Sequence, residues 1–382
     1  MLKTIEFIKN HENWRELLST APYCLTIKED GDFAILKYSQ VDSDFTEEIV
    51  KECRGLIIDL HTLEPVALSF YKFFNVQETF ADKIYWKECR VQEKIDGSKV
   101  LVWYNIYKHK WQVSTSGELD AYAANVSDFG ITFGQLFDRA LQTLKIENFE
   151  DMLDMNFCYT FELVSPESRV VIPYKKTKIY FIGVRYVPSF TECNPDSFEH
   201  ICSVIPRPKE FKLNNLKSCL NAVEHMGYDE EGFVVVDKHW NRVKIKSPAY
   251  VAAHYLKNNG VNSRARVLEI IEKNEQSEFL GLFPEYKEIF EETETKYNAI
   301  KDRIKVALEN VIWYKNTLTL NGCDNIRKAL AEYIEREYKD ISGFIYKYLD
   351  ISFSDYFIKH QWKELSKDKK MNLLGYKLEK ED

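Results

Sequence analysis

Residues 93–98 read Glu93-Lys94-Ile95-Asp96-Gly97-Ser98, a lysine two places before an Asp-Gly step, set between two strand-like runs. Glycine adopts backbone conformations closed to other residues and lets the chain come close to a phosphate. A lysine beside such a turn can project into a pocket and act as a nucleophile. The pattern occurs twice, since Lys28-Glu29-Asp30-Gly31 fits it as well. There residues 24–27 and 33–37 have the character of hairpin arms and Asp30-Gly31 that of their turn, so Lys28 is expected to be structural.

Outward from residue 94, short alternating or apolar runs bounded by turn residues continue to about residue 250, at 55–60, 99–104, 157–164, 178–186, 232–236 and 242–246. Period-two runs of this kind are strands. Helical spacing interrupts them at 5–18 and 131–144. After residue 250 the period changes: Tyr286, Phe290, Tyr297, Ile300, Ile304, Leu308 and Val311 mark one face of a helix. Ile326, Leu330, Tyr333 and Tyr338 mark another, with Asp324 as a candidate cap. The Lys- and Glu-rich stretch 363–382 is expected to fray. The expected fold class is α+β, with antiparallel sheets in a domain over 1–250 and an all-α domain over 251–382. A chain of 382 residues exceeds what one core usually organises, which agrees with two domains.

Composition narrows the function less than the motifs do. No apolar run approaches the roughly 18 residues of a membrane span, so a cytoplasmic protein with no membrane association is expected, in the host cytoplasm if viral. The eight cysteines contain no C-x-x-C pair and no cluster with histidine at metal-ligand spacing, which points to reduced thiols. A net charge of −8 argues against long-range, whole-molecule attraction to nucleic acid, and a local basic groove can coexist with it.

An ordered series separates Lys94 from Lys28. Cys53-Arg54-Gly55 and Lys72-Phe73-Phe74-Asn75 precede Lys94; Phe161-Glu162-Leu163-Val164, Glu231-Gly232-Phe233-Val234-Val235 and Val243-Lys244-Ile245-Lys246-Ser247 follow it. The series resembles the motifs of the covalent nucleotidyltransferases, which comprise DNA ligases, RNA ligases and capping enzymes. It is most similar to the phage-type RNA ligase 1 family, over roughly residues 35–250, and the combination is far more specific than any member of it.

Strand alternation sets Lys244 and Lys246 on one face with Val243 and Ile245 on the other, and turns Glu162 away from Phe157, Tyr159, Phe161 and Leu163. Two ammonium groups side by side suit a polyphosphate, although a solvated strand face has the same pattern. A lysine with a pKa of about 10.4 is protonated at neutral pH; partial burial, Lys244, Lys246 and a metal would favour the neutral nucleophile. The resemblance implies that Lys94 is the nucleophile, with Asp96 and Gly97 in the nucleotide-binding turn and Glu162 on the ribose. It implies that Glu231 positions Lys94 or a divalent cation, with Glu230 adjacent. It further implies Arg54 and Lys72 on the ATP phosphates, Tyr38 near the nucleoside and Phe74 beside the substrate, although Phe73 and Phe74 have the character of core residues and Tyr38 that of a strand residue. Tyr250 matches the family's pattern. Glu272 takes a position where relatives carry an aspartate and joins Glu231 and Glu162 as a candidate metal ligand. One departure stands out: Ser116-Gly117 replaces a Lys-Gly step, with Lys110 or Lys108 as candidate substitutes.

The implied activity is ATP-dependent RNA ligation through lysyl-AMP and RNA-adenylate. ATP is the cosubstrate and Mg²⁺ the divalent cation, with Mn²⁺ as an alternative. The implied partners are RNA with 5′-phosphate and 3′-hydroxyl ends, a nicked tRNA among the candidates, and an end-healing kinase or phosphatase. The rivals are a nucleotidyltransferase that stops after adduct transfer, capping-type or AMPylating, and a non-catalytic RNA-binding protein on a ligase fold. A helical continuation after Lys246, where DNA ligases and capping enzymes carry a β-rich domain, favours the RNA ligase.

Overall fold

The computed structural model describes residues 2–126, 130–256, 264–348 and 361–376. The chain forms two compact units, Met1–Asn258 with Ser277–Leu282, and Asn259–Gln276 with Phe283–Asp382. The division thus falls later than residue 250. Helix Pro248–Leu256 stays with the first unit, where Tyr250 and Val251 are buried.

Among the described residues, fourteen strands build three sheets in the first unit. β1 (Leu25–Asp30), β2 (Phe33–Tyr38), β3 (Arg54–Asp59) and β4 (Pro65–Ala67) form the first in that order. The remaining strands are β5 (Phe74–Asn75), β6 (Cys89–Glu93), β7 (Ser98–Asn105), β8 (Lys110–Thr115), β9 (Phe157–Val164), β10 (Lys178–Tyr186), β11 (Thr191–Cys193), β12 (Glu210–Phe211), β13 (Gly232–Asp237) and β14 (Arg242–Lys246). They form the sheets β11-β10-β9-β7-β8 and β12-β6-β13-β14-β5. Pairing is antiparallel throughout except between β14 and β5.

Alternation decides which face each strand buries. Val100, Val102, Tyr159, Phe161 and Leu163 pack with Leu136, Phe137 and Ala140 of helix Phe133–Leu144. That helix opens with a capping box between Thr132 and Gln135. The opposite face of the same sheet offers Leu101, Trp103 and Cys158 to Phe33, Ile35 and Ile57 of the first sheet. In the third sheet Val91, Phe233, Val235, Val243 and Ile245 cover Cys219 and Val223 of helix Leu216–Val223. Each such side chain contributes about 1.5–3 kcal/mol on burial, so the registers are firmly specified.

Two local expectations shift. Residues 5–18 form two helices, Lys3–Asn10 and Trp14–Ser19, because the chain turns extended at His11. The first is pinned by the distant Glu52, whose carboxylate accepts from Lys3 N at 2.9 Å, Thr4 N at 2.7 Å and Thr4 Oγ1 at 2.6 Å. The β1–β2 loop is Gly31-Asp32, one residue beyond the expected turn, with Gly31 at φ +58°.

Among its described residues the second unit is entirely helical, comprising Arg264–Glu272, Lys287–Leu320, Ile326–Glu337, Ser342–Tyr348 and Lys367–Leu373. The 34-residue helix Lys287–Leu320 buries Phe290, Tyr297, Ile304, Leu308 and Val311. Asn325, not Asp324, caps the next helix by accepting from Lys328 N. Helix Lys367–Leu373, capped by Ser366, occupies part of the stretch expected to fray, and residues 377–382 lie outside the described residues. Among the described residues no helix is long and apolar enough to cross a membrane.

Candidate active site

Three neighbouring strand ends assemble the site. Lys94 follows β6, Glu231 precedes β13 and Lys246 closes β14, and β13 lies between the other two with Phe233 opposite Glu93 and Gly232 opposite Lys246. Lys94 N donates to Gly232 O at 2.8 Å and Ser247 N to Glu231 O at 2.9 Å, which fixes both backbones. A Cβ at Gly232 would stand 2.1 Å from Ile245 O, and its φ of +129° is closed to other residues, so glycine is required there.

The side chains converge on one carboxylate. Lys94 Nζ lies 2.8 Å from Glu231 Oε1 and Lys246 Nζ lies 3.7 Å from the same oxygen. Glu231 is buried, whereas Glu230 is exposed. A buried carboxylate loses hydration that only such pairing offsets. Glu231 Oε2 is buried without a hydrogen-bond partner, a rare condition in a folded protein. Burial pushes the Glu162 carboxyl up to about 7, against the pull of Lys94 and with a push from Glu231. Burial and Lys246 bring Lys244 down to about 7.

Asp96 and Gly97 hold the turn together from within. Asp96 Oδ2 accepts from Val171 N at 2.9 Å and Ile172 N at 2.8 Å, and Oδ1 accepts from the Tyr250 hydroxyl at 2.8 Å. A Cβ on Gly97 would lie 2.5 Å from Leu163 O, so only glycine lets the turn pack this closely against β9. Tyr250, expected from the motif pattern, therefore anchors the turn that carries Lys94.

Arg54 and Lys244 flank Phe73, with the guanidinium carbon 4.8 Å and the ammonium 6.0 Å from the ring centroid. Arg54 Nη1 is also buried without a partner. Lys72 Nζ sits among the rings of Tyr38, Phe45 and Phe74 at 5.1, 5.0 and 5.3 Å and donates to Gln40 Oε1 at 2.9 Å. Cation–π attraction holds an ammonium in such a cage. Tyr38 is half-buried there; Phe74 is a core residue against Phe45 that also forms part of the cage.

Glu272 belongs to the second unit, where both oxygens meet Lys370 Nζ at 3.0 Å and Oε1 accepts from Trp362 Nε1 at 2.6 Å. The acid brought to the lysine pair is Glu278, 2.5 Å from Lys246 Nζ. Burial works to raise its carboxyl, but Lys246 and Lys244 reverse this and hold it below its ordinary value. Sequence reading missed Glu278, which lies in the short helix Gln276–Leu282 and has no local signature. It also missed Lys99, half-buried opposite Glu162 across β7 and β9, which donates to Arg54 O at 2.9 Å and to Ser69 Oγ. Burial, with Arg54 adding to it, brings Lys99 well below its ordinary value. Strand alternation, which puts Lys99 on the face of Leu101 and Trp103, could have found it. Lys110 faces Asn105 at the opposite end of β8 from Thr115, and Lys108 lies in the connecting loop, so neither stands beside Ser116.

The RNA ligase family model for phage T4 RNA ligase 1 matches residues 52–250. The chain belongs to this family. A protein of Autographa californica nuclear polyhedrosis virus whose name joins polynucleotide kinase to RNA ligase is 30% identical over 279 residues, covering 68% of this chain and 39% of that protein. The chain thus spans well under half the length of that relative. The RNA ligase of Rhodothermus phage RM378 is 25% identical over 347 residues, covering 74% of this chain and 77% of the relative. An archaeal ATP-dependent RNA ligase structure is similar over 78% of this chain and 82% of its own, with a TM-score of 0.45 and 12% identity.

Proposed function

We propose that the chain is an ATP-dependent RNA ligase whose nucleophile is Lys94. The observation that carries this reading is the convergence of Lys94 and Lys246 on Glu231, beside Glu162 and Lys244, in a chain of the RNA ligase family. Lys94 Nζ, once deprotonated, attacks the α-phosphorus of ATP; the bond to the β-phosphate oxygen breaks, pyrophosphate leaves and AMP stays on nitrogen. Lys244 and Lys246 meet the negative charge that gathers on the phosphates. A 5′-phosphate of RNA then takes the AMP, and a 3′-hydroxyl attacks the activated phosphate, joins the strands and releases AMP.

Among the described residues no group of three or more His, Cys, Asp or Glu is arranged as a metal cage. The unpaired Glu231 Oε2 fits a Mg²⁺ or Mn²⁺ that enters with the nucleotide, held by Glu231 and phosphate oxygens, with Glu162 nearby. Such an ion supplies charge neutralisation at the phosphates. In this reading the first unit is the adenylyltransferase and the helical unit recognises structured RNA such as a nicked tRNA loop by its shape. The kinase in the baculovirus relative's name supports an end-healing partner.

Incubation with α-labelled ATP and Mg²⁺, followed by denaturing electrophoresis, tests the chemistry. Label is expected on the wild type and on Lys28→Ala, and none on Lys94→Ala; the wild type should also join 5′-labelled RNA. No label on any of the three after pyrophosphate treatment to strip bound AMP refutes the reading.

A further inference from the structure

The layer between the first two sheets changes character along its length. On β2 the residues facing β7 run Phe33, Ile35, Lys37, and on β7 they run Trp103, Leu101, Lys99. Both rows end in lysine on the side where Arg54 and Glu162 stand, since Lys37 pairs with Arg54 across β2–β3 and Lys99 with Glu162 across β7–β9. Gly55 is the extra residue of a bulge there, at φ +81°, and an added Cβ would meet Ser116 O at 2.9 Å. The Ser116-Gly117 step is thereby pressed against the start of β3. The Lys37 side chain runs along Gly117, where an added Cβ would be 3.2 Å from Nζ and 3.5 Å from Cδ.

Among the described residues no carboxylate lies within ion-pairing distance of Lys37, Lys99 or Arg54. Lys28, also in the first sheet, does find one in Glu118. Arg54 Nη1 is buried and unpaired, and Arg54 shares Phe73 with Lys244. The cations therefore form a row from Lys246 and Lys244 past Phe73 to Arg54 and Lys37. Within this row Lys246 is paired with Glu278, whereas Lys37 and Arg54 have no direct ion pair among the described residues, and these two beside an unpaired guanidinium nitrogen suit an anion with several oxygens.

We infer that Lys37 is a phosphate-binding residue of this site, acting with Arg54 at the Ser116-Gly117 step and supplying the ammonium that residue 116 does not. The inference rests on the ligase reading for its substrate, a phosphate group of either the nucleotide or the RNA 5′ end. Lys37 is exposed, so Lys37→Ala leaves the fold intact, which an unchanged Tm checks. Binding of inorganic pyrophosphate with Mg²⁺, and of a 5′-phosphorylated RNA oligonucleotide against its 5′-hydroxyl form, is measured by calorimetry on the full chain. Roughly tenfold weaker pyrophosphate binding by Lys37→Ala, recovered by Lys37→Arg, supports the inference and assigns the nucleotide; the same loss confined to the 5′-phosphorylated oligonucleotide supports it and assigns the RNA. Affinities for both probes within twofold of wild type overturn it. Failure of the wild type to take label from ATP would refute the ligase reading alone, because neither binding measurement requires adenylylation.

Discussion

Lys28-Glu29-Asp30-Gly31 and Lys94-Ile95-Asp96-Gly97 carry the same pattern, and the molecule uses them in opposite ways. The first closes a hairpin: Lys28 is paired with Glu118 at the surface, and a Cβ on Gly31 would meet nothing within 4 Å. The second is held from three directions, with Asp96 accepting from Val171, Ile172 and Tyr250, Gly97 against β9, and Lys94 on Glu231. Both lysines sit near an acid and a glycine, so residue type does not distinguish them. What distinguishes them is burial: the first has an exposed pairing with the distant Glu118, whereas among the partners that fold onto the second Val171 and Tyr250 are buried.

The largest expected difference is at the aspartates. Asp96→Ala would strand a buried backbone N–H at Val171, a half-buried one at Ile172 and a phenol, each costing about 1–3 kcal/mol, for a loss on the order of 4 kcal/mol. Asp30→Ala, at an exposed hairpin position, should stay within about 0.5 kcal/mol. Urea unfolding midpoints compare the two, and a shift below about 1 kcal/mol for Asp96→Ala would mean that its hydrogen bonds do not organise the turn.

The glycines come next. Gly97→Ala places a methyl 2.5 Å from a backbone oxygen that cannot rotate away, which should cost about 2–3 kcal/mol and displace Lys94 enough to stop label transfer from ATP. Gly31→Ala meets open space and pays only for a φ of +58°, about 1–2 kcal/mol, with labelling unchanged. Equal losses from the two substitutions would erase the distinction drawn between the turns.

How much of this was legible follows from what each feature depends on. β9, β10 and β14 begin and end where period-two alternation places them, because their inward faces are continuous apolar rows. The facing of Lys244, Lys246 and Glu162 followed from the same alternation. The helix start pinned by Glu52 and the arrival of Glu278 at Lys246 depend on pairs 48 and 32 positions apart, which no local pattern encodes. Lys99 lay in plain view within the nucleophile's own stretch, yet its burial depends on Arg54 and Ser69 folding over it.

Protonation offers a subtler contrast, because the groups near the second turn, Glu162 and Lys244, are shifted chiefly by burial, whereas His61 at the first is shifted by its hydrogen bond to Asp32. Glu162 holds its proton up to about pH 7 in the folded chain, against an ordinary value of 4.5. Between those limits the folded state binds more protons than the unfolded one, so this group makes stability fall as pH rises. Lys244 works the other way, since its value of about 7 against 10.5 makes stability rise with pH between them. Glu162→Gln should therefore remove a decline in urea midpoint between about pH 5 and 7, and Lys244→Met a gain between about pH 7 and 10. Unaltered pH profiles in both variants would show that neither group is held away from its ordinary value.

The smallest effect belongs to Lys28→Ala, and its smallness is the prediction. Lys28 and Glu118 form an ion pair with both side chains well exposed to solvent, where water and salt screen the attraction and ordering two long side chains opposes it. Its removal should shift the unfolding free energy by less than about 0.5 kcal/mol. Labelling from α-labelled ATP should be indistinguishable from wild type, and the shift should shrink further as salt is raised. A loss of labelling comparable to that of Lys94→Ala would break the contrast at its root. It would require the hairpin lysine to reach the nucleotide, and its exposed pairing with Glu118 on the β1–β2 ribbon gives it no route to do so.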